Sequence, residues 1–216
     1  MSSADKYGGK AERWTEDAYA DPARYLRHRA ELVAELGPRL DLGDSVLDLA
    51  CGDAGLAEPL LARGVRYLGV DLSEEMIAAA NQRLAGRAEA VLGDLNDFRP
   101  PAPVAATTCF RAIYYARDRI AFFRHVAEFT ERKLVFDLNP RQYRLADVRR
   151  DLERAGFAEL ALRPFFVPQT RSLPEVMARG LEALERSGPL ARLLLRERFT
   201  YICAASRRTL VRRDVH

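Results

Sequence analysis

The sequence is poor in the residues that build several common kinds of protein. It has three cysteines in 216 residues, Cys51, Cys109 and Cys203, far apart and odd in number. None has C-x-x-C spacing, so neither a disulfide scaffold nor a zinc ribbon is expected, and no metal. Buried free thiols in a reducing cytoplasm are the expectation instead. No apolar run approaches the ~20 residues that cross a bilayer. The leader MSSADKYGGKAERW has no continuous apolar stretch, so no signal peptide is read there. An excess of one charge is also missing: 34 Lys and Arg against 31 Asp and Glu give a net charge of +3. That balance is too even for a dedicated nucleic-acid binder, and nucleic acid is not the expected partner. What the chain does have is 48% hydrophobic residues, enough for a sizeable core in one domain with a small lid.

Along the chain, residues 1–20 are polar but carry Tyr7, Trp14 and Tyr19, which suggests a leader that folds onto something. Asp21-Pro22 reads as a helix start, and Gly37-Pro38 as its end. Strands are then predicted at Ser45–Ala50, Tyr67–Val70, Ala88–Leu92, Val104–Phe110, Lys133–Leu138, Ala158–Arg163 and Phe199–Ala205. Helices are predicted at Gly55–Ala62, Glu74–Leu84 (capped by Ser73), Arg119–Phe129 and Leu145–Ala155. Alternation of this kind gives βαβ units and a mainly parallel sheet. The stretch 164–197 breaks it, with Pro164, Pro168, Pro174 and Pro189 as punctuation and Leu173, Val176, Met177, Leu181 and Leu184 at helical spacing.

The chemistry concentrates after the first three strands. Gly52, in the turn Ala50-Cys51-Gly52-Asp53-Ala54-Gly55, permits a sharp bend and close approach of a ligand to bare backbone. Asp48, inside a buried strand, needs a partner such as a loop amide or a ligand ammonium group. Asp71 ends the second strand, ~20 residues beyond the Gly-rich turn, where a carboxylate accepts hydrogen bonds from both hydroxyls of a ribose. Asp94, Leu95 and Asn96 follow the third strand and suit an adenine amino group and ring. A plain βαβ turn, with Asp71 merely capping the helix near Glu74, is the alternative. A nicotinamide dehydrogenase would need G-x-G-x-x-G under its pyrophosphate; this turn reads A-x-G-x-x-G, and Asp53 would repel a phosphate.

With VLDLACGDAG, YLGVDLSEEMI and GDLNDF, the chain resembles the class I S-adenosylmethionine-dependent methyltransferases from about Leu40 to Leu138. The resemblance implies an α/β Rossmann-like fold, a mainly parallel seven-stranded sheet with helices on both faces and its last strand antiparallel. It implies S-adenosyl-L-methionine as cofactor and S-adenosyl-L-homocysteine as product. Asp48, Ala50, Cys51, Gly52 and Asp53 would surround the methionine part and Asp71 would take the ribose, with Leu72 and Met76 as further cofactor contacts. Asp94, Leu95 and Asn96 would hold the adenine. Phe110 and Arg111 would lie near the methionine end, Arg29 would pair with its carboxylate, and Tyr19 would belong to a lid with Tyr7 and Trp14. One departure stands out: Ala54 occupies a position that is usually Gly in the family.

Methyl transfer from a sulfonium needs alignment and exclusion of water more than acid–base groups. Tyr114, Tyr115 and Arg111 are the candidate acceptor-side residues, although one Tyr of the pair would serve equally well in a core. Asn139-Pro140 follows the wrong strand for an amino-methyltransferase motif and reads as a turn. No partner is read for His28 or His125, which are taken as surface or packing residues. Arg207, Arg208, Arg212 and Arg213 read as a solvated tail, and His216 as its end. The expected organisation is a cap over the cofactor at 1–40 and a catalytic domain at 41–216. Within that domain, 164–197 is a helical insertion whose Phe165, Phe166, Val167 and Met177 wall an apolar acceptor pocket. The expected acceptor is a small molecule: a specialised metabolite, lipid or quinone-like compound. Rivals are an RNA or protein methyltransferase and a nonenzymatic binding module. The chain would be a monomer or homodimer.

Overall fold

The computed structural model describes residues 14–188, 191 and 200–207. Tyr7, Pro189, Phe199, Arg208, Arg212, Arg213 and His216 lie outside the described residues. Two helices come first, α1 (Trp14–Ala18) and α2 (Pro22–Glu35). The alternation follows: β1 (Ser45–Leu49), α3 (Ala57–Leu61), β2 (Arg66–Asp71), α4 (Glu74–Leu84), β3 (Glu89–Leu92), β4 (Val104–Cys109), α5 (Arg119–Phe129), β5 (Thr130–Leu138), α6 (Leu145–Arg154), β6 (Phe157–Phe165), α7 (Glu175–Glu185) and β7 (Thr200–Arg207). A short 3-10 turn, Ile113–Tyr115, follows β4.

Local chemistry sets the helix starts. Asp21 accepts from the Arg24 amide at 3.1 Å, with Pro22 in the first turn, and Ser73 accepts from the Met76 amide at 3.3 Å. The helix predicted from Gly55 begins only at Ala57, because Gly55 and Leu56 are still in the turn.

All seven strands form one sheet in the order β3-β2-β1-β4-β5-β7-β6. β7 runs antiparallel to both β5 and β6, and the other pairings are parallel. Both faces are covered, as a parallel sheet requires. Val46, Ala106, Val135 and Ala204 point to one side, in a core with Tyr25, Leu26 and Val33 of α2. Leu47, Leu134, Phe136 and Cys203 point to the other, where Phe122 and Phe123 of α5 and Leu152 of α6 cover them. The segment ahead of residue 41 thus shares its core with the sheet. At its end, buried Lys133 of β5 donates to the carbonyls of Leu36 at 2.8 Å and Ala34 at 3.3 Å, satisfying the last groups of α2. Burial, helped by nearby Arg132, pushes the Lys133 pKa down to about 7.

The insertion turns its acidic side inward. On α7, Ala178 and Glu185 are buried, whereas Val176 and Met177 are exposed. Arg24 of α2 binds Glu175 at 2.9 Å and Glu182 at 3.2 Å, and His28 binds Glu185 at 2.6 Å. Charge and apolar packing share the docking: Leu181 and Leu184 pack on Phe166 and Ala191, while the ion pairs hold α7 to α2. Among the described residues no helix is long and apolar enough to cross a membrane.

Candidate active site

Sheet order reverses between β1 and β4, and a crevice opens there beyond the strand ends. It is a cleft of about 340 Å³. The cofactor contacts singled out from sequence, and Arg111, Tyr114 and Tyr115 on the acceptor side, line it, whereas Phe165, Phe166, Val167 and Met177 of the insertion do not. The β1 loop supplies Asp48, Ala50, Cys51, Gly52 and Asp53; the β2 end and α4 supply Asp71, Leu72 and Met76. Asp94, Leu95 and Asn96 follow β3, Phe110, Arg111, Tyr114 and Tyr115 follow β4, and Tyr19 and Arg29 come from the N-terminal helices.

The β1 loop is unusually wound. Ala50, Gly52 and Ala54 have φ of +58°, +57° and +57°, the left-handed region that favours glycine. Ala54 therefore holds a backbone conformation that favours glycine, at a cost of about 1 kcal/mol. At Gly52 a Cβ would come within 3.3 Å of the Trp14 ring.

The acids differ in what they hold. Asp48 is buried and accepts from Thr108 Oγ1 at 2.6 Å and Tyr67 Oη at 2.8 Å. Burial raises its pKa to about 6, against the pull of these two hydroxyls. Asp71 accepts the amides of Gly52 at 2.9 Å and Ser73 at 3.0 Å, so it ties the β1 loop to β2 and does not cap α4. Burial raises its pKa too, and the backbone amides of Ser73, Gly52 and Leu72 oppose the shift. Asp94 accepts from the Asn96 amide at 2.9 Å and from Arg117 at 2.5 Å. Burial raises the Asp94 pKa, but Asn96 and Arg117 outweigh it and the net shift is down. Asp53 is fully engaged: it accepts the Thr15 amide at 3.0 Å and hydroxyl at 2.5 Å, and pairs with Arg83 at 2.8 Å. Its carboxylate fastens α1 over the loop.

Two arginines face the cleft without a carboxylate at ion-pair distance among the described residues. Arg29 is 3% exposed and donates to Tyr25 Oη at 2.8 Å, yet its Nε has no hydrogen-bond partner. Its guanidinium stacks 4.4 Å from the Phe110 ring. Arg111 has φ of +55°, held by its amide donating to Asp137 at 2.7 Å, and its guanidinium lies 5.8 Å from the Trp14 ring and 6.0 Å from Tyr19.

Residues 46–133 match the family described as a methyltransferase domain. The matched stretch runs from β1 into β5, so this part of the chain carries a methyltransferase domain. The chain shares its fold with solved structures of low identity. A chain of the Haloferax volcanii complex containing the Trm112 methyltransferase activator is 19% identical, with TM-score 0.66 over 95% of this chain and 97% of that one. Magnesium protoporphyrin IX methyltransferase of Synechocystis PCC 6803, with S-adenosylhomocysteine bound, is 16% identical, with TM-score 0.64 over 95% and 97%. The cyclase SpnF is 17% identical, with TM-score 0.65 over 94% of each chain. No curated protein matches the sequence.

Sequence reasoning missed several residues of the methyltransferase cleft. Thr15 and Arg117 line it, and both act through acids that were recognised. Nothing local marks either one, because their partners lie 38 and 23 residues away. Both histidines have partners, contrary to expectation. Buried His28 bridges Glu185 and Glu31; burial works against its charge, but the two carboxylates prevail and raise its pKa. His125 Nε2 lies 2.8 Å from the Phe98 carbonyl oxygen. Cys51 is half-buried and faces the cleft, unlike Cys109 and Cys203. The apolar wall expected of the insertion is not in the cleft. Phe165 packs on Tyr25 and His28, Phe166 on Ala191, and Met177 is exposed. The insertion instead braces the N-terminal helices: the Ala20 amide donates to the Gln169 carbonyl at 2.8 Å, and Gln169 Nε2 to the Ala18 carbonyl at 3.1 Å. Among the described residues no cluster of His, Cys, Asp or Glu is arranged to hold a metal.

Gly55 shows how tightly α1 is seated. A Cβ there would lie 2.3 Å from Thr15 Oγ1 and 3.1 Å from Leu26 Cδ1. Gly55→Ala is expected to lift α1 off Asp53 and cost about 1–3 kcal/mol of stability. Trp14 is the only tryptophan, so its fluorescence reports on this one contact. A red-shifted emission and a lower melting temperature are the expected result.

Proposed function

We propose that the cleft binds S-adenosylmethionine in line from Arg29 to Asp94 and that the enzyme methylates a small-molecule acceptor entering past Tyr114 and Tyr115. The observation that carries this is the set of unfinished valences around one cavity. Arg29 Nε is buried without a partner, and Asp48 is a buried carboxylate with no cation in ion-pair contact among the described residues. A methionine carboxylate and ammonium would complete them. Asp71 uses one acceptor position on each oxygen for an amide, which leaves lone pairs for the two ribose hydroxyls. Leu95 and Met76 are buried beside the cleft and supply apolar contact for the nucleoside.

Bound there, the cofactor supplies an electrophilic methyl on a sulfonium. The chain's residues do the rest by position. Phe110 and Tyr19 keep water from the methionine end, and α1, pinned through Thr15 to Asp53, roofs it. Tyr114 and Tyr115, 52% and 38% exposed, orient the acceptor at the open end. The segment up to residue 40 serves as the cap, and the 164–197 insertion as its brace. The roofed cleft, small beside a nucleic-acid or protein surface, supports a small acceptor. Three free cysteines suit work in a reducing cytoplasm.

Calorimetric titration with S-adenosylhomocysteine and with NAD tests the reading. Binding of the first, with none of the second, is expected. Equal binding of both would overturn it. Transfer of labelled methyl to a small-metabolite extract separates an enzyme from a binding module.

A further inference from the structure

One guanidinium facing the cleft stays without a paired carboxylate once the proposed cofactor is in place. This inference rests on that methyl-donor reading. Arg83 is neutralised by Asp53 and Glu16, and Arg117 by Asp94 and Asp97. Arg29 and Arg111 remain, facing the cleft with no carboxylate in ion-pair contact among the described residues. The cofactor carries a single carboxylate, which satisfies one guanidinium. Arg29 is the better seat for it, because Arg29 is buried and its Nε lacks a partner. Arg111 is then a cation left over, in the same loop after β4 that carries Tyr114 and Tyr115, and lining the same cleft.

The surroundings of Arg111 narrow what it would bind. Its guanidinium is flanked by the faces of Trp14 and Tyr19, at 5.8 and 6.0 Å. Tyr114 and Tyr115 form a tilted pair with centroids 4.4 Å apart, and both line the cleft. A planar fork beside aromatic rings fits a planar anion on a flat ring: the fork takes two oxygens at once and the rings take the hydrophobic part. The left-handed backbone at Arg111 (φ +55°) sits where such strain is commonly kept for function, and the Asp137 contact maintains it. We propose that Arg111 anchors a carboxylate on the acceptor, so that the acceptor class is aromatic acids.

The test uses the full chain saturated with S-adenosylhomocysteine, titrated calorimetrically with benzoate and with its neutral isostere benzamide. Benzoate is expected to bind at least about tenfold more tightly, the value of one charge-assisted paired contact. Arg111→Gln should abolish that preference and leave S-adenosylhomocysteine affinity within about twofold. Arg111→Lys, which keeps charge but not the fork, should retain part of it. Equal binding of benzoate and benzamide, or absence of both, overturns the proposal while leaving the cofactor reading intact. Loss of S-adenosylhomocysteine affinity in Arg111→Gln also overturns it, since it would put Arg111 on the cofactor's carboxylate. Failure of the unaltered protein to bind S-adenosylhomocysteine sinks the reading beneath it instead. Thermal melting of each variant separates these outcomes from loss of fold.

Discussion

Asp71→Asn is expected to weaken S-adenosylhomocysteine binding by about 2–3 kcal/mol, roughly 30- to 150-fold. The carboxylate has two duties. It accepts the amides of Gly52 and Ser73, and in the proposed complex it also accepts both ribose hydroxyls. An amide in its place offers one acceptor oxygen, and its NH₂ group meets a donor where an acceptor is needed. Loop disorder alone would lower affinity for any ligand of the cleft. Adenosine and adenine therefore separate the two duties. The loss should appear with adenosine and be nearly absent with adenine. Equal losses for both would show that Asp71 holds only the loop.

Asp48→Asn should act in opposite directions on stability and binding. The folded-state pKa of Asp48 is raised from 3.8 to about 6. A buried group with its folded pKa above its unfolded one favours folding below the unfolded value and loses that advantage as pH rises through the folded value. The ligand-free protein is thus expected to lose about 3 kcal/mol of stability from this group between about pH 4 and 6. Asn at this position removes that pH dependence and raises the melting temperature at neutral pH. Thr108 can still donate to its oxygen, and the Tyr67 hydroxyl can turn to accept. The cofactor's ammonium group favours the ionised carboxylate. Affinity for S-adenosylhomocysteine should accordingly increase as pH rises through about 6, and Asn should abolish that increase at a cost of tenfold or more. Titrations across this range with a flat affinity would exclude an ammonium partner for Asp48.

The parts legible in sequence are those fixed by local pattern. Strands from Ser45 to Leu138 follow from short apolar runs, and helix starts at Asp21 and Ser73 from their caps. Asp48, Gly52, Asp71 and Asp94 were readable because each ends, or lies just beyond, a strand of a parallel sheet. Such strand ends meet on one edge whatever the rest of the chain does. Pairings made across long stretches were not readable. Glu185 lies 157 residues from His28, and Asp53 lies 38 from Thr15. Hydrophobic spacing held for Leu181 and Leu184, which pack on Phe166 and Ala191, but misled on the first turn of α7. Val176 and Met177 keep helical spacing but face solvent, since Arg24 and His28 draw Glu175, Glu182 and Glu185 toward α2 instead. Lys133 carried no local signal of its role, which is to donate to the carbonyl that closes α2.

The position of β7 bears on how the chain assembles. Every described residue lining the cleft lies between Trp14 and Arg117, ahead of β5 in the chain. The sheet is nevertheless completed by the last strand, which inserts between β5 and β6. During synthesis β6 emerges with no neighbour to pair with, and β5 keeps an open edge, until residues 200–207 arrive. Closing that gap joins strands far apart in sequence, a slow step that leaves strand edges exposed in the meantime. The half that binds ligand can therefore take shape before the half that locks it in place.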